Sequence, residues 1–222
     1  MKQKRLEAIL EILPVCDSYL DVGCDHGYLA LMIRKKYPDA TVCASDIAEG
    51  PLQMAGKTME QAHVTDIPLY LSDGLRSVPV SCECVIIAGM GGQTITEILL
   101  SDKKYAENTK YFVLEPNVEV EMLRQWLGDN GFRILDETLV HDYKYYPILV
   151  CEHGNQTQDA YDVMFGPVLR RQPTAVFTEY WTNEKEKLLT YLSVMKPTDK
   201  SYVSYHKRLE MIENVLKNGE DC

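Results

Sequence analysis

A mostly parallel α/β sheet wrapped by helices, followed by a small helical appendage, is the architecture predicted by this 222-residue sequence. Three observations carry the prediction. Short β-branched or apolar runs alternate with segments of helical apolar spacing over the first 115 or so residues, which is the pattern of strands joined by helical crossovers. Two strand-like runs then lie too close together for a crossover, so the sheet ends in an antiparallel hairpin. Beyond a polar stretch without periodicity, only helical spacing remains.

Taken in order, Leu6, Ile9, Leu10 and Leu13 recur on one face and give an N-terminal amphipathic helix that stops at Pro14. Strands follow at Tyr19–Val22, Thr41–Ala44, Pro68–Leu71, Cys84–Ala88 and Tyr111–Leu114. Between them, Leu29, Met32, Ile33 and Tyr37, and later Ile95, Ile98 and Leu99, have helical spacing. Phe132–Val140 and Tyr145–Cys151 form the hairpin around Asp142-Tyr143-Lys144. Residues 152–159 mark the boundary, giving domains 1–158 and 159–222. In the second, Phe177, Trp181, Leu188, Leu192 and Met195 share a face, and Tyr202, Tyr205, Leu209, Ile212 and Leu216 repeat at 3-4-3-4 spacing. Pro197 separates the two runs, with Thr198 or Asp199 placed to cap the second, so an antiparallel helical hairpin is expected.

Composition narrows the class. With 45% hydrophobic and 25% charged residues the chain is an ordinary globular protein, not a collagen-like or disordered one. No apolar run approaches the roughly 20 residues that span a bilayer, and the N-terminus lacks the apolar core of a signal peptide, so a cytoplasmic protein without a membrane partner is expected. Seven scattered cysteines without a C-x-x-C pair read as reduced, mostly buried thiols with no metal site. The net charge of −10 is uneven: 14 Lys and Arg face 24 Asp and Glu in residues 1–160, against nine and nine in 161–222. A polyanionic partner must therefore meet local clusters such as Arg34-Lys35-Lys36 or Arg170-Arg171. The oligomeric state is not fixed by the sequence, with a monomer as the default.

The first strand ends Asp21-Val22-Gly23-Cys24-Asp25-His26-Gly27 and runs straight into a helix. A strand, a glycine turn and a helix in succession form the cofactor cradle of a Rossmann-like fold. Asp46 and Ile47 follow the second strand, where the acid can accept from a ribose diol. Asp25 discriminates between two nucleoside cofactors. At the centre of the loop its carboxylate would repel a dinucleotide pyrophosphate by about 4 kcal/mol at 4 Å in an intermediate dielectric, whereas S-adenosylmethionine carries a sulfonium and no phosphate. Asp73-Gly74 after the third strand can take the adenine amino group. Ala88-Gly89-Met90, leading into Gly91-Gly92, gives a slender wall beside the transferable methyl, with the last two glycines facing the substrate. Glu115-Pro116-Asn117 follows the fifth strand. All fall at the carboxyl ends of successive strands, the ligand edge of such a sheet.

The strings Gly23-x-Asp25-His26-Gly27-Tyr28-Leu29, Gly50-Pro51, Gly74-Leu75, Ala88-Gly89-Met90-Gly91-Gly92, Leu114-Glu-Pro-Asn117 and Gly166-Pro167 through Trp181 resemble the TrmK family of bacterial tRNA methyltransferases over essentially the whole chain. The resemblance implies a Rossmann-like class I methyltransferase sheet with a C-terminal coiled-coil-like helical domain, S-adenosylmethionine as cofactor, tRNA as partner and N1 of adenine 22 as the target. Glu115 stands where glutamine is expected from the resemblance. The implied chemistry makes Asp25, His26, Tyr28 and Asn117 the catalytic candidates: Asn117 on the base edge, Tyr28 or His26 in stacking, Asp25 in electrostatic support. Lys207 and Arg208 are the candidates for tRNA phosphate contacts in the helical domain. A methyltransferase of a small molecule or protein, a nicotinamide oxidoreductase and a non-catalytic cofactor-binding module are the alternative readings.

Overall fold

The computed structural model describes residues 3–220, and Cys222 falls outside them. The chain divides into two compact units, Met1–Gln158 and Asp159–Cys222.

In the first unit, helix α1 (Gln3–Ile12) precedes β1 (Ser18–Val22), α2 (Tyr28–Lys36), β2 (Thr41–Asp46), α3 (Glu49–Gln61) and β3 (Leu69–Leu71). Then come β4 (Cys84–Gly91), α4 (Gly92–Ser101), α5 (Lys103–Glu107), β5 (Tyr111–Val118), α6 (Val120–Asp129) and the hairpin β6 (Phe132–His141) and β7 (Tyr145–His153). The seven strands form one sheet in the order β3-β2-β1-β4-β5-β7-β6. Pairs among the first five strands are parallel. β7 pairs antiparallel with both β5 and β6, so the antiparallel strand sits one place inside the edge and β6 is outermost.

The alternation of side chains along a strand explains the layering. Tyr19, Val42, Ala44, Ile86, Val113 and Ile148 point to one face, where Ile9 and Leu13 of α1, Leu29 and Ile33 of α2, and Ala55 and Met59 of α3 close over them. Their strand neighbours Leu20, Val85, Ile87, Phe112, Leu114 and Leu149 are buried too, and α4 and α6 pack against β4 and β5. Because β2 and β4 flank β1 on opposite sides, the chain reverses winding direction there and opens a crevice beyond the carboxyl ends of β1 and β4.

Two stretches expected to follow their strands are part of them. Gly89–Gly91 and Glu115–Asn117 continue β4 and β5, pairing through register shifts that place Ala88 opposite Glu115 and Met90 opposite Pro116. Such an irregularity suits Pro116, which has no N–H for a regular ladder.

The second unit holds α7 (Ala160–Phe165), α8 (Ala175–Val194) and α9 (Tyr202–Glu220). Asp159 starts α7 with a capping box, accepting from the Asp162 amide at 2.7 Å. Phe165, Phe177 and Trp181 form a ring cluster, and Leu188, Leu209 and Ile212 are buried as well. α9 starts beyond Thr198 and Asp199, so neither is its N-cap; Asp199 closes the preceding turn by accepting from the Lys196 amide at 2.8 Å. No helix among the described residues is long and apolar enough to cross a membrane, and none of their His, Cys, Asp and Glu side chains gather in a metal-binding group.

Candidate active site

The loop after β1 is held open by backbone bonds. The Gly23 and Cys24 amides donate to the Ser45 carbonyl of β2 at 2.8 and 3.0 Å, and the Gly27 amide donates to Cys24 at 2.7 Å. Gly27 has φ +71°, and a Cβ there would lie 2.9 Å from the Cβ of Ala55, so only glycine lets the loop pack on α3. Asp25 takes the left-handed conformation (φ +50°) and turns its side chain outward. Asp46 accepts from the Asp25 amide at 3.2 Å and from the Ala48 amide at 3.1 Å, tying the second strand end to the loop.

A cavity of about 980 Å³ opens beside this loop, within the size range of small-molecule sites. Asp21, Gly23, Cys24 and Asp25 form one wall. Ala88, Gly89 and Met90 form a second, with the Met90 methyl filling the space a side chain at Gly23 would need. Asn117 and Val118 from β5, Tyr146 from β7, and Arg5 from α1 complete the far side. Tyr28, Leu31, Met32 and Lys35 line it at helical spacing along α2, so Tyr28 is a half-exposed lining residue and not a core aromatic. The His26 and Tyr28 rings lie 5.9 Å apart.

One buried carboxyl, Asp21, lines this space, and a second, Glu115, is bonded to its lining residues Arg5 and Gly89. Asp21 is 3% exposed, and its Oδ2 has no hydrogen-bond partner. Burial, with the Asp46 carboxylate adding repulsion, pushes it up to about 7 against the opposing pull of the Ala30 amide and Arg5. Glu115 is fully buried, with Oε2 accepting from Arg5 Nη1 at 2.6 Å and from the Gly89 amide at 2.9 Å. Burial raises Glu115 to about 7 as well, with Arg5 the principal restraint. The Arg5 guanidinium also lies 5.5 Å above the Tyr146 ring. A buried carboxylate oxygen without a donor is costly unless a ligand cation or donor reaches it. Asp21 and Asp25 therefore fit the sulfonium and ammonium of S-adenosylmethionine and oppose a phosphate.

The remaining sequence candidates are distributed around this space. Ile47 is 69% exposed past β2. Asp73 is ion-paired with Arg76, Gly74 is buried at φ +62°, and neither lines the cavity. Gly91 and Gly92 also lie outside the lining. A Cβ on Gly92 would be 2.7 Å from the Glu119 carbonyl, so helix packing accounts for glycine there without a substrate.

A family model described as tRNA (adenine(22)-N(1))-methyltransferase, TrmK, matches residues 19–218. The chain belongs to the TrmK family. A TrmK relative from Bacillus subtilis (strain 168), itself a tRNA (adenine(22)-N(1))-methyltransferase, is 28% identical, with 97% of each chain covered. The structure of a candidate tRNA (m1A22) methyltransferase from Streptococcus pneumoniae, in complex with S-adenosyl-L-methionine, superposes with TM-score 0.86 at 33% identity, covering 97% of this chain and 100% of that one. The B. subtilis TrmK crystal structure superposes with TM-score 0.83 at 26% identity, covering 96% and 97%.

In the helical unit of this TrmK chain several cations already have partners. Arg170 pairs with Asp159 and Asp162, Arg171 with Asp162, Lys185 with Glu213 at 3.0 Å, and Lys187 with Glu184 at 2.7 Å. Arg208 lies 5.7 Å over the Trp181 ring, so of the two phosphate candidates only Lys207 projects as an exposed cation. Sequence reading missed Arg5, Lys144 and Tyr146. Arg5 lies on a helix legible only through its apolar stripe, and the other two sit on the hairpin, whose pairing was visible but whose approach to the β1 loop was not.

Proposed function

We propose that this chain transfers the methyl group of S-adenosylmethionine to N1 of adenine 22 in tRNA, in the cytoplasm and as a monomer. The observation that carries the reading is the unpartnered, buried Asp21 oxygen beside Asp25 in a cavity at the carboxyl edge of β1 and β4. When bound, S-adenosylmethionine supplies a methyl group activated on a cationic sulfur. Asp21 and Asp25 hold the positive groups, Asp46 accepts from the ribose diol while Ile47 packs on the adenine, and Asp73 and Gly74 close that end. Gly23 and Gly27 keep the loop slender, and Ala88, Gly89 and Met90 form the wall beside the methyl.

N1 of adenine carries an in-plane lone pair and no proton, so the chain needs no general base for the attack. Its contribution is alignment, which can supply about 7–11 kcal/mol. N1 lies on the pairing edge, and the adenine must leave the stack to enter the cavity. Asn117 hydrogen-bonds that edge, Tyr28 stacks on the ring with His26 beside it, and Asp25 favours the positive charge that the ring gains. Residues 1–158 carry the cofactor and the chemistry; Lys207 in residues 159–222 adds a phosphate contact. Transfer of labelled methyl from S-adenosylmethionine to tRNA tests the reading, with NAD as a control ligand in thermal denaturation. Label in protein or in a small molecule but not in tRNA, or stabilisation by NAD alone, would overturn it.

A further inference from the structure

The cavity lining carries both signs of charge. Asp21 near the end of β1 and Asp25 on the β1–α2 loop belong to it, as do Arg5, Lys35 and Lys144 from α1, α2 and the turn before β7. Arg5 is neutralised by Glu115 at 2.6 Å. The two lysines are not: neither ammonium has a partner among the described residues.

The basic triplet Arg34-Lys35-Lys36 is sorted by helix geometry. Arg34 turns away to Asp66, with its Nε 2.9 Å from Oδ2. Lys36 Nζ donates to the Leu10 carbonyl at the end of α1, at 2.7 Å. Lys35 shares the face of Tyr28, Leu31 and Met32 and is the member that reaches the cavity. The β6–β7 turn is closed by the Asp142 amide donating to the Lys144 carbonyl at 3.1 Å; Lys144 lies on the lining, and Tyr143 at the tip is 90% exposed.

In a chain of net charge −10, two unpaired cations lining the same cavity call for anions, and the single α-carboxylate of the cofactor can meet only one of them. A nucleotide within a strand carries a phosphate on each side of the base that enters. We propose that Lys35 and Lys144 grip the phosphates flanking the extruded adenine while Tyr143 stacks on an adjoining base, so that the first unit itself clamps the polynucleotide at the cavity mouth. The proposal rests on the tRNA reading above. Free adenine and adenosine lack these phosphates and are poor acceptors on this account.

The test uses the full chain and tRNA binding over a range of salt concentrations, with S-adenosylhomocysteine affinity as the control for folding and cofactor binding. Lys35→Ala/Lys144→Ala should lower the slope of log affinity against log salt by about two, about one per phosphate contact, and leave S-adenosylhomocysteine affinity within twofold. Tyr143→Ala should weaken tRNA binding by roughly 5- to 100-fold with the slope unchanged, the range expected for one base stacked on an aromatic ring. Tyr143→Phe should restore it. A wild-type slope in the double lysine variant, in an enzyme that methylates tRNA, overturns the clamp alone, whatever happens to the rate. A wild-type protein that binds the cofactor but methylates no tRNA overturns both the clamp and the reading it rests on.

Discussion

Asp21→Asn separates what this residue does for the cofactor from what it costs the fold. Asp21 is 3% exposed and its Oδ2 has no partner, so its ionised form is held in the native state at a disadvantage. Moving a carboxyl from 3.8 up to about 7 corresponds to at most about 4 kcal/mol, at 1.36 kcal/mol per tenfold change in proton affinity. The native value lies above the unfolded one, so the protonated form favours folding at low pH, and that contribution is lost as pH rises through about 7. Asparagine does not ionise and keeps an oxygen for the Ala30 amide. The variant should therefore match wild type near pH 4, and its advantage should grow by about 3 kcal/mol between pH 5 and pH 8. Urea denaturation without ligand at the two pH values measures this. S-adenosylhomocysteine affinity, by calorimetry at pH 8, should fall on the order of tenfold or more, the loss of one charge-assisted hydrogen bond. An advantage that does not change between pH 5 and pH 8 would refute the argument that Asp21 is a strained, ligand-awaiting carboxyl.

Three further substitutions test the scaffold. Gly27→Ala combines a left-handed backbone with a Cβ 2.9 Å from Ala55, and should destabilise by about 2–5 kcal/mol, read as a lower urea midpoint. Glu137→Ala strands Arg124, whose Nε lies 2.8 Å from Glu137 with both side chains almost wholly buried, and should cost about 3–5 kcal/mol in the same assay. Asp159→Ala removes the α7 capping box at a cost of about 1 kcal/mol; a change in S-adenosylhomocysteine affinity there would contradict the assignment of cofactor binding to residues 1–158.

The sheet was legible because its buried strands are β-branched runs such as Val85-Ile86-Ile87, and the hairpin because the four residues between Val140 and Tyr145 cannot hold a crossover helix. Where local signals mislead, the reason is long-range pairing. Gly89–Gly91 and Glu115–Asn117 carry turn residues, yet β4 and β5 hold each other extended through an irregular register. The cofactor wall was readable from Gly23 to Gly27 because one continuous segment makes it. The far side is assembled from Arg5, Asn117, Val118 and Tyr146, and nothing local in α1 announces that Arg5 pairs with Glu115, 110 positions away. Charge counting says little in the helical unit, since nine cations and nine acids over residues 161–222 give no sign of which are paired; Asp162 alone meets two arginines.

The most direct test of the central claim is mass spectrometry of nucleosides from an unmodified tRNA transcript incubated with the protein and S-adenosylmethionine, beside a transcript in which adenine 22 is replaced by guanine. The first transcript should yield 1-methyladenosine and the second none. Methylation elsewhere than N1 of adenine, or equal 1-methyladenosine from both transcripts, would contradict it.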